Sequence, residues 1–192
     1  QIMEVWELPT SIVVGGIDYE IRTDFRAVLD ILKTFNDPDF ENDEKWIVCL
    51  TILYVDFGNM PPQDYEEAIE KAIEFIDMGI KDDGKKQPHV MDWEHDAPVI
   101  IPSVNRVLGK EIRAMQYLHW WTFLGAYMEI GESLFSQILS VRMKKAKGKK
   151  LEDWEREFYK ENKTLIDLDV KYSEEELEEQ KRLNDLLNGK GA

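Results

Sequence analysis

The sequence predicts a mainly α-helical fold with a small β-hairpin near its amino-terminal end. Apolar residues recur at helical spacing along most of the chain, and the pair Gly15-Gly16 separates two short β-rich runs. The segment from Tyr117 to Ile130 is apolar on nearly every side, and a helix without a polar face must be covered by protein or lipid. We therefore expect a helical domain over residues 1–170, with the hairpin at about 11–21, and an acidic C-terminal helix or tail over 171–192.

The hairpin and the first helix follow from local signals. Two adjacent glycines readily supply the positive φ angles of a tight turn, which places a turn at Gly15-Gly16. Thr23 is expected to cap the first helix, with Asp24 in its first turn. The inner face of this helix is predicted from residues at helical spacing, namely Phe25, Val28, Leu29, Leu32 and Phe35.

Two further helices are predicted before residue 80. One extends from about Asp43 to Asp56, and its predicted inner residues are Trp46, Cys49, Leu50, Leu53 and Tyr54. The next begins at Pro61-Pro62, because proline fits a first helical turn where its missing donor is no loss. Its predicted inner residues are Tyr65, Ala68, Ile69, Ala72, Ile73 and Ile76.

The second half of the chain is also predicted to be helical. Pro98 is expected in the first turn of a helix that ends at Leu108, and Gly109 closes it. A long helix is predicted from about Ile112 to Lys145, with a break near Gly131. A short amphipathic helix is predicted over Leu151–Tyr159. A last helix is expected over Ser173–Leu187, since Ser173 and Glu176 have the spacing of a capping box.

Composition and charge narrow the classes of function. The net charge of −15 argues against general nucleic-acid binding, because phosphate contacts need clustered Lys and Arg. Cys49 is the only cysteine, so we expect a buried structural thiol and no disulfide. The sequence contains no apolar run of transmembrane length and no recognisable signal peptide, so cytoplasmic residence and no membrane contact are expected.

The acidic loop around Trp93 admits two interpretations. Asp92, Glu94, His95 and Asp96, with His89 nearby, carry groups that bind metals. Their spacing matches no established metal motif, however. We favour a structural role in which the acids face solvent or cap a helix, with Asp96 as the N-cap before Ala97-Pro98. A metal-dependent enzyme that uses this loop is retained as an alternative hypothesis.

His119 also admits two interpretations. An imidazole on an apolar segment can carry protons, since its pKa is ordinarily near neutrality. Sequence places no serine or cysteine beside it, however, and a histidine in such surroundings is more often held by a hydrogen bond within packing. We therefore interpret His119 as structural. The sequence contains no catalytic constellation, so a non-enzymatic protein without a cofactor is expected.

A basic run occupies residues 142–150 (RMKKAKGKK) and precedes an acidic segment. Such a run can contact phosphate or another anionic surface. We favour a solvated or intrachain face, since residues 151–192 hold thirteen acidic against seven basic side chains. Contact with a protein partner is the alternative. Opposite charges close in sequence can also pair between copies, so a homo-oligomer is compatible with the pattern.

The adjacent indoles Trp120 and Trp121 point about 100° apart if both lie on a helix, so they cannot share one face. One is expected in the core and the other beneath a neighbouring helix. A large aromatic that stays exposed would mark a partner surface. The predicted partner-contact residues are those of the acidic loop, the indole pair and the basic run: Asp92, Trp93, Glu94, Trp120, Trp121, Arg142, Lys144, Lys145 and Lys147.

Several segments together resemble a bacteriophage family known as gene product fifteen, over nearly all of residues 5–172. The resemblance rests on the segments WELP at 6–9, YEIRTDFR at 19–26, MDWE at 91–94, IP at 101–102 with NR at 105–106, HWWTF at 119–123, and KKAKGKKL at 144–151 with EFY at 157–159. The family is generally encoded in the tail-morphogenesis region, near the tape-measure protein and the major tail protein.

This resemblance implies a tail assembly chaperone that binds the tape-measure protein, with the tail-tube protein as a further partner, in the host cytoplasm. A structural tail or head–tail connector protein retained in the virion is the alternative. The resemblance implies no catalytic residues. A helical, acidic protein with exposed aromatic side chains suits such a role, because it can cover apolar faces of a helical partner and keep the complex soluble.

Overall fold

The computed structural model describes residues 6–80 and 88–169, and within these it is mainly helical with one antiparallel hairpin, as predicted. The helix predicted over Ser173–Leu187 and the unit predicted over 171–192 lie outside the described residues, so the boundary at residue 170 stays a prediction. The strands are β1 (Ser11–Val14) and β2 (Ile17–Glu20). The helices are α1 (Phe25–Phe35), α2 (Asn42–Leu53), α3 (Tyr65–Ile76), α4 (Ala97–Leu108), α5 (Trp120–Met128), α6 (Leu134–Ala146), α7 (Asp153–Glu161) and α8 (Lys163–Ile166).

The hairpin turns at the predicted glycine pair. Gly15 and Gly16 have φ angles of +57° and +79°, and β1 pairs with β2 in the register Val14↔Ile17. A Cβ atom on Gly15 would also lie 2.7 Å from a carboxylate oxygen of Asp64. Both the backbone angle and this close approach therefore require glycine at position 15.

The N-cap of α1 is Asp24, and the prediction of Thr23 was wrong. One carboxylate oxygen of Asp24 accepts a hydrogen bond from the Arg26 backbone N–H at 3.0 Å, and the other accepts from the Leu118 N–H at 3.1 Å. The Thr23 hydroxyl shares a 2.7 Å hydrogen bond with the Tyr117 hydroxyl. The cap is shifted by one residue because Asp24 satisfies donors from two separate segments at once.

The predicted long helix from Ile112 to Lys145 was wrong over its first part. A short 3₁₀ turn at Ile112–Ala114 is followed by extended chain, and α5 begins only at Trp120. The Leu118 carbonyl accepts from the Phe25 N–H at 2.9 Å, and the Trp120 N–H donates to the Thr23 carbonyl at 2.7 Å. These tertiary hydrogen bonds hold the strand-like segment in place of a helix. The predicted break near Gly131 is confirmed by the interval between α5 and α6.

Two smaller corrections concern α2 and α3. Helix α2 ends at Leu53, three residues earlier than predicted, because Tyr54 forms a β-bridge with Ile21. The predicted inner face of α3 is wrong at Ile73, which is 41% exposed, while Phe75 is fully buried. The bounds of α4, with Pro98 in its first turn and Gly109 at a φ of +66°, agree with the prediction.

The core is one cluster of buried apolar side chains from the hairpin, from α1 to α6 and from α8. The rings of Phe25 on α1 and Phe123 on α5 stack with centroids 4.8 Å apart. Cys49 is buried as expected, and burial raises the pKa of its thiol to about 12. Among the described residues, no helix is both long enough and apolar enough to span a bilayer.

Candidate partner-binding site

The predicted partner-contact residues fall into three groups by exposure. Asp92, Trp120 and Arg142 are buried, and Trp120 is the indole of the pair that enters the core. Trp93, Trp121 and Lys144 are half-buried, whereas Glu94, Lys145 and Lys147 are exposed. Contact of any of these residues with a partner stays a prediction. What each buried side chain does inside the fold follows from its hydrogen bonds.

Arg142 is the centre of a buried polar network. Its Nη1 and Nη2 atoms donate to the two carboxylate oxygens of Asp96 at 2.7 and 2.8 Å. The remaining three N–H groups donate to backbone carbonyls of Val90, Leu165 and Ile166 at 2.9, 2.7 and 2.6 Å. All five guanidinium donors are thus used. The network ties α6 to the start of α4 and to α8.

The acidic loop is folded inward rather than spread on the surface. The Asp96 carboxylate accepts from the Asp92 N–H at 3.0 Å as well as from Arg142. Asp96 occupies the N-cap position of α4, but its side chain makes no capping bond, which corrects the predicted role. The Asp92 carboxylate accepts from the N–H groups of Glu94 and His95 at 2.9 and 2.8 Å. The buried carboxylates of Asp92 and Asp96 therefore stabilise the turn before α4 and pair with Arg142.

The metal alternative can be compared directly with this geometry. Within residues 6–80 and 88–169, no group of three or more His, Cys, Asp and Glu side chains is arranged to hold an ion. Glu94 instead pairs with Lys33 at 2.7 Å, and the His95 ring contacts the Leu165 carbonyl at 3.3 Å. The loop residues therefore point to different partners.

The basic run is paired within the chain over its first part, which confirms the intrachain interpretation there. Lys144 contacts the buried Glu155 carboxylate at 2.6 Å, and the hydrogen bond from Lys144 lowers the pKa of Glu155. Lys145 contacts Asp167 at 2.7 Å and lies 3.7 Å above the Tyr159 ring. Lys147 is exposed at the C-cap of α6. Lys144 and Lys145 therefore help to dock α7 and α8 onto α6.

The two indoles cap the end of one helix. Trp120 Nε1 donates to the Ile76 carbonyl and Trp121 Nε1 donates to the Phe75 carbonyl, each at 2.8 Å. The last carbonyls of a helix have no partner within it, so side-chain donors stabilise them. Trp120 enters the core and Trp121 packs half-buried against α3, as the sequence predicted for the pair. Their N–H groups are committed to α3.

His119 is the N-cap of α5. Its Nδ1 accepts from the Trp121 N–H at 3.0 Å, and its Nε2 lies 2.9 Å from the Pro9 carbonyl. This arrangement assigns the proton to Nε2, which donates to Pro9. Burial lowers the pKa of His119, although the hydrogen bond to Pro9 opposes the shift. Both ring nitrogens therefore serve the structural role predicted from the sequence.

An apolar cleft that the sequence did not reveal lies between α1, α4 and the turn at Ile112–Ala114. It encloses about 260 Å³, and its lining is Phe25, Arg26, Leu29, Trp93, Ala97, Ile100, Ile101, Ile112, Arg113 and Phe123. Trp93 is the one predicted contact residue in this lining. Its ring centroid lies 5.0 Å from that of Tyr127 and 6.1 Å from that of Phe123, which fixes one aromatic wall.

Two arginines mark the edge of the cleft. Arg26 pairs with Asp24 at 3.1 Å and also donates to the carbonyls of Ile112 and Met115 at 3.2 and 2.7 Å. Arg113 pairs with Glu111 at 2.8 Å, yet its side chain is 68% exposed. The cleft thus combines an apolar floor with charged groups at its mouth, an arrangement typical of sites that bind an amphipathic partner.

Comparison with known families fits this architecture. A family model described as Bacteriophage Gp15 protein matches residues 6–168. The chain belongs to this bacteriophage family. The matched region spans everything from the hairpin to α8, and membership of the Gp15 family indicates a phage structural or morphogenesis protein that works with other phage proteins. No curated protein and no solved structure shows a significant match to the chain.

Segments that carry the family resemblance converge on the cleft of this Gp15-family protein. YEIRTDFR supplies Phe25 and Arg26, MDWE supplies Trp93, and HWWTF supplies Phe123. No single segment contains a recognisable binding motif, because each contributes only one or two lining side chains. Only the tertiary structure brings these segments together, so the cleft left no signal in the sequence.

Proposed function

We propose that this protein is a non-enzymatic tail assembly chaperone that binds the tape-measure protein in the host cytoplasm. The observation that carries the proposal is an apolar cleft with an arginine-bearing mouth, in a chain that belongs to a bacteriophage morphogenesis family. We propose the tape-measure protein as the partner because the family is generally encoded near it, in a position that resembles that of tail assembly chaperones. The tail-tube protein is the second proposed partner, because its subunits would displace the chaperone from the tape-measure protein as the tail assembles.

The chemistry of the cleft suits an amphipathic helix. A tape-measure protein is a long helical chain whose apolar faces would aggregate if left bare. Two or three apolar side chains of such a helix fit a cleft of about 260 Å³ and would be recognised as a helix-in-groove contact. The net charge of −15 would keep the complex soluble. Weak binding at repeated sites along the tape-measure protein would let tube subunits displace the chaperone.

Co-expression with a tape-measure fragment tests the proposal. Wild-type protein should raise the soluble fraction of the fragment and co-purify with it. An Ala97→Trp variant, whose indole would fill the cleft, should do neither. Trp154→Ala is the matched control, because Trp154 is a tryptophan exposed on α7, far in sequence from the cleft lining. Unchanged solubility of the fragment with wild-type protein would count against the proposal.

A structural protein retained in the virion is the second candidate, because family membership alone accommodates both roles. Mass spectrometry of purified particles separates them. A chaperone should be absent from finished tails, whereas a structural subunit should be present in a fixed ratio to the tube protein.

A further inference from the structure

The start of the described chain carries an unusual exposed sequence. Trp6 is 97% exposed and Leu8 is 52% exposed, with the exposed Glu7 between them. We refer to residues 6–8 as the N-terminal arm. Exposure of almost the whole indole to water is unfavourable, because apolar surface gains free energy when it is buried. Exposed aromatic side chains of this kind are typical anchors of protein–protein interfaces.

The arm lies immediately before the first residues that hydrogen bonds attach to the folded domain. The Pro9 carbonyl contacts His119 Nε2 at 2.9 Å, and the Thr10 carbonyl accepts from the Ile21 N–H at 3.0 Å. These two hydrogen bonds fix the chain just after the arm. Trp6 therefore projects from a rigid base, and its exposure shows that it does not fill the cleft of its own chain.

The cleft matches the arm in volume and in the polarity of its lining. Its volume of about 260 Å³ is of the order needed for an indole, and its floor is apolar and partly aromatic. The Arg26 guanidinium lies 4.5 Å from the Phe25 ring centroid. An incoming indole can contact this guanidinium through a cation–π interaction. Arg113 has a 68% exposed side chain at the mouth. An arm of apolar, acidic and apolar residues matches an apolar floor edged by arginine.

We propose that the N-terminal arm of one copy binds in the cleft of a second copy, with Trp6 on the apolar floor and Glu7 facing Arg113. This self-association does not depend on the chaperone function. It places the arm in the site proposed for the tape-measure protein, so the two occupants compete. Reciprocal exchange of arms gives a closed dimer, whereas one-way exchange gives a ring or a chain of subunits.

Sedimentation at several protein concentrations tests the proposal, at about 0.15 M salt so that the like net charges are screened over roughly 8 Å. Wild-type protein should self-associate. Trp6→Ala should raise the dissociation constant by about thirtyfold or more, as expected for an aromatic anchor. Trp154→Ala removes a tryptophan that is 51% exposed elsewhere and should associate like wild type. A wild-type monomer at every concentration, or equal association of Trp6→Ala, would overturn the proposal.

A mixing experiment identifies the cleft as the acceptor. Trp6→Ala retains the cleft but lacks the anchor, whereas Ala97→Trp retains the arm but blocks the cleft. Each alone should be monomeric, and their mixture should form a dimer. Charge reversal gives an independent check that needs no buried substitution: Glu7→Arg and Arg113→Glu should each weaken association, and mixing the two should restore it. Failure of both mixtures to associate would exclude the cleft as the acceptor.

Discussion

Arg142 and Asp96 form a two-pronged ion pair in the interior, with side chains only 5% and 1% exposed. The two residues are 46 positions apart in the sequence, and the pair joins α6 to the start of α4. Because the same guanidinium also holds three backbone carbonyls, it fixes the docking of α8 against the start of α4. This pair decides the packing of the second half of the domain.

Removal of the Arg142 side chain should lower the stability of the fold severely. Arg142→Met leaves the Asp96 carboxylate buried without its partner and should lower the free energy of unfolding by about 3–5 kcal/mol. Lys147→Met, on the same helix end but exposed, should change it by less than about 0.5 kcal/mol. Urea unfolding measures both. A loss of similar size in the two variants would contradict the structural role of Arg142.

The stability of the fold should fall in mildly acidic solution because of His119. Burial holds the pKa of His119 below its ordinary value of 6.5, so the unfolded chain binds a proton first as the pH falls. The contribution of His119 is complete above about pH 6.5 and is lost as the pH falls from there towards the lower, folded-state pKa. His119→Asn keeps an N-cap oxygen but cannot titrate. The stability difference between wild type and this variant should therefore depend on pH only in that window, and a constant difference would count against it.

The two tryptophans that cap α3 should contribute unequally to the free energy of unfolding. Trp120→Phe leaves the Ile76 carbonyl without its donor beside a ring that is only 1% exposed, at a cost of about 1–3 kcal/mol for the lost hydrogen bond and more for the smaller ring. Trp121→Phe should cost less, because water can reach a half-buried site. Chemical denaturation of the two variants ranks them. A larger loss for Trp121→Phe would contradict the greater contribution assigned to Trp120.

The ion pair between Lys144 and Glu155 predicts a local titration change. The Lys144 hydrogen bond lowers the pKa of Glu155, with a further contribution from the Glu152 N–H. Lys144→Met should therefore raise the pKa of the Glu155 carboxyl, as measured by carbon NMR of the side chain. Lys145→Met is the matched control, since Lys145 pairs with Asp167. An unchanged Glu155 pKa in Lys144→Met would exclude the pairing in solution.

Local signals in the sequence were enough to predict the hairpin, α1 and α4. The glycine pair, the apolar periodicity and the Pro98 and Gly109 boundaries act within a few residues of one another, so they survive without tertiary context. The extended segment before α5 was missed for the opposite reason. Its hydrogen bonds join it to residues nearly a hundred positions away, and these override its helical pattern.

The candidate site was harder to predict than the fold. The basic run and the acidic loop were recognised as charged segments, but the sequence could not show that Arg142 and Asp96 would meet in the interior. Exposure of Trp93 at the cleft depends on packing between α1, α4 and α5. Charge patterns identify which side chains need partners, whereas only the tertiary structure decides whether those partners are inside the chain.

Hydrogen exchange of the protein with and without a bound tape-measure fragment tests the central claim most directly. The Trp6→Ala variant is the right starting material, because its cleft is free of a second copy. Binding in the cleft should slow exchange in α1 and over residues 93–101 and 112–115, and leave α7 unchanged. Slower exchange confined to α7 or to residues 147–150, with no change at the cleft, would contradict it.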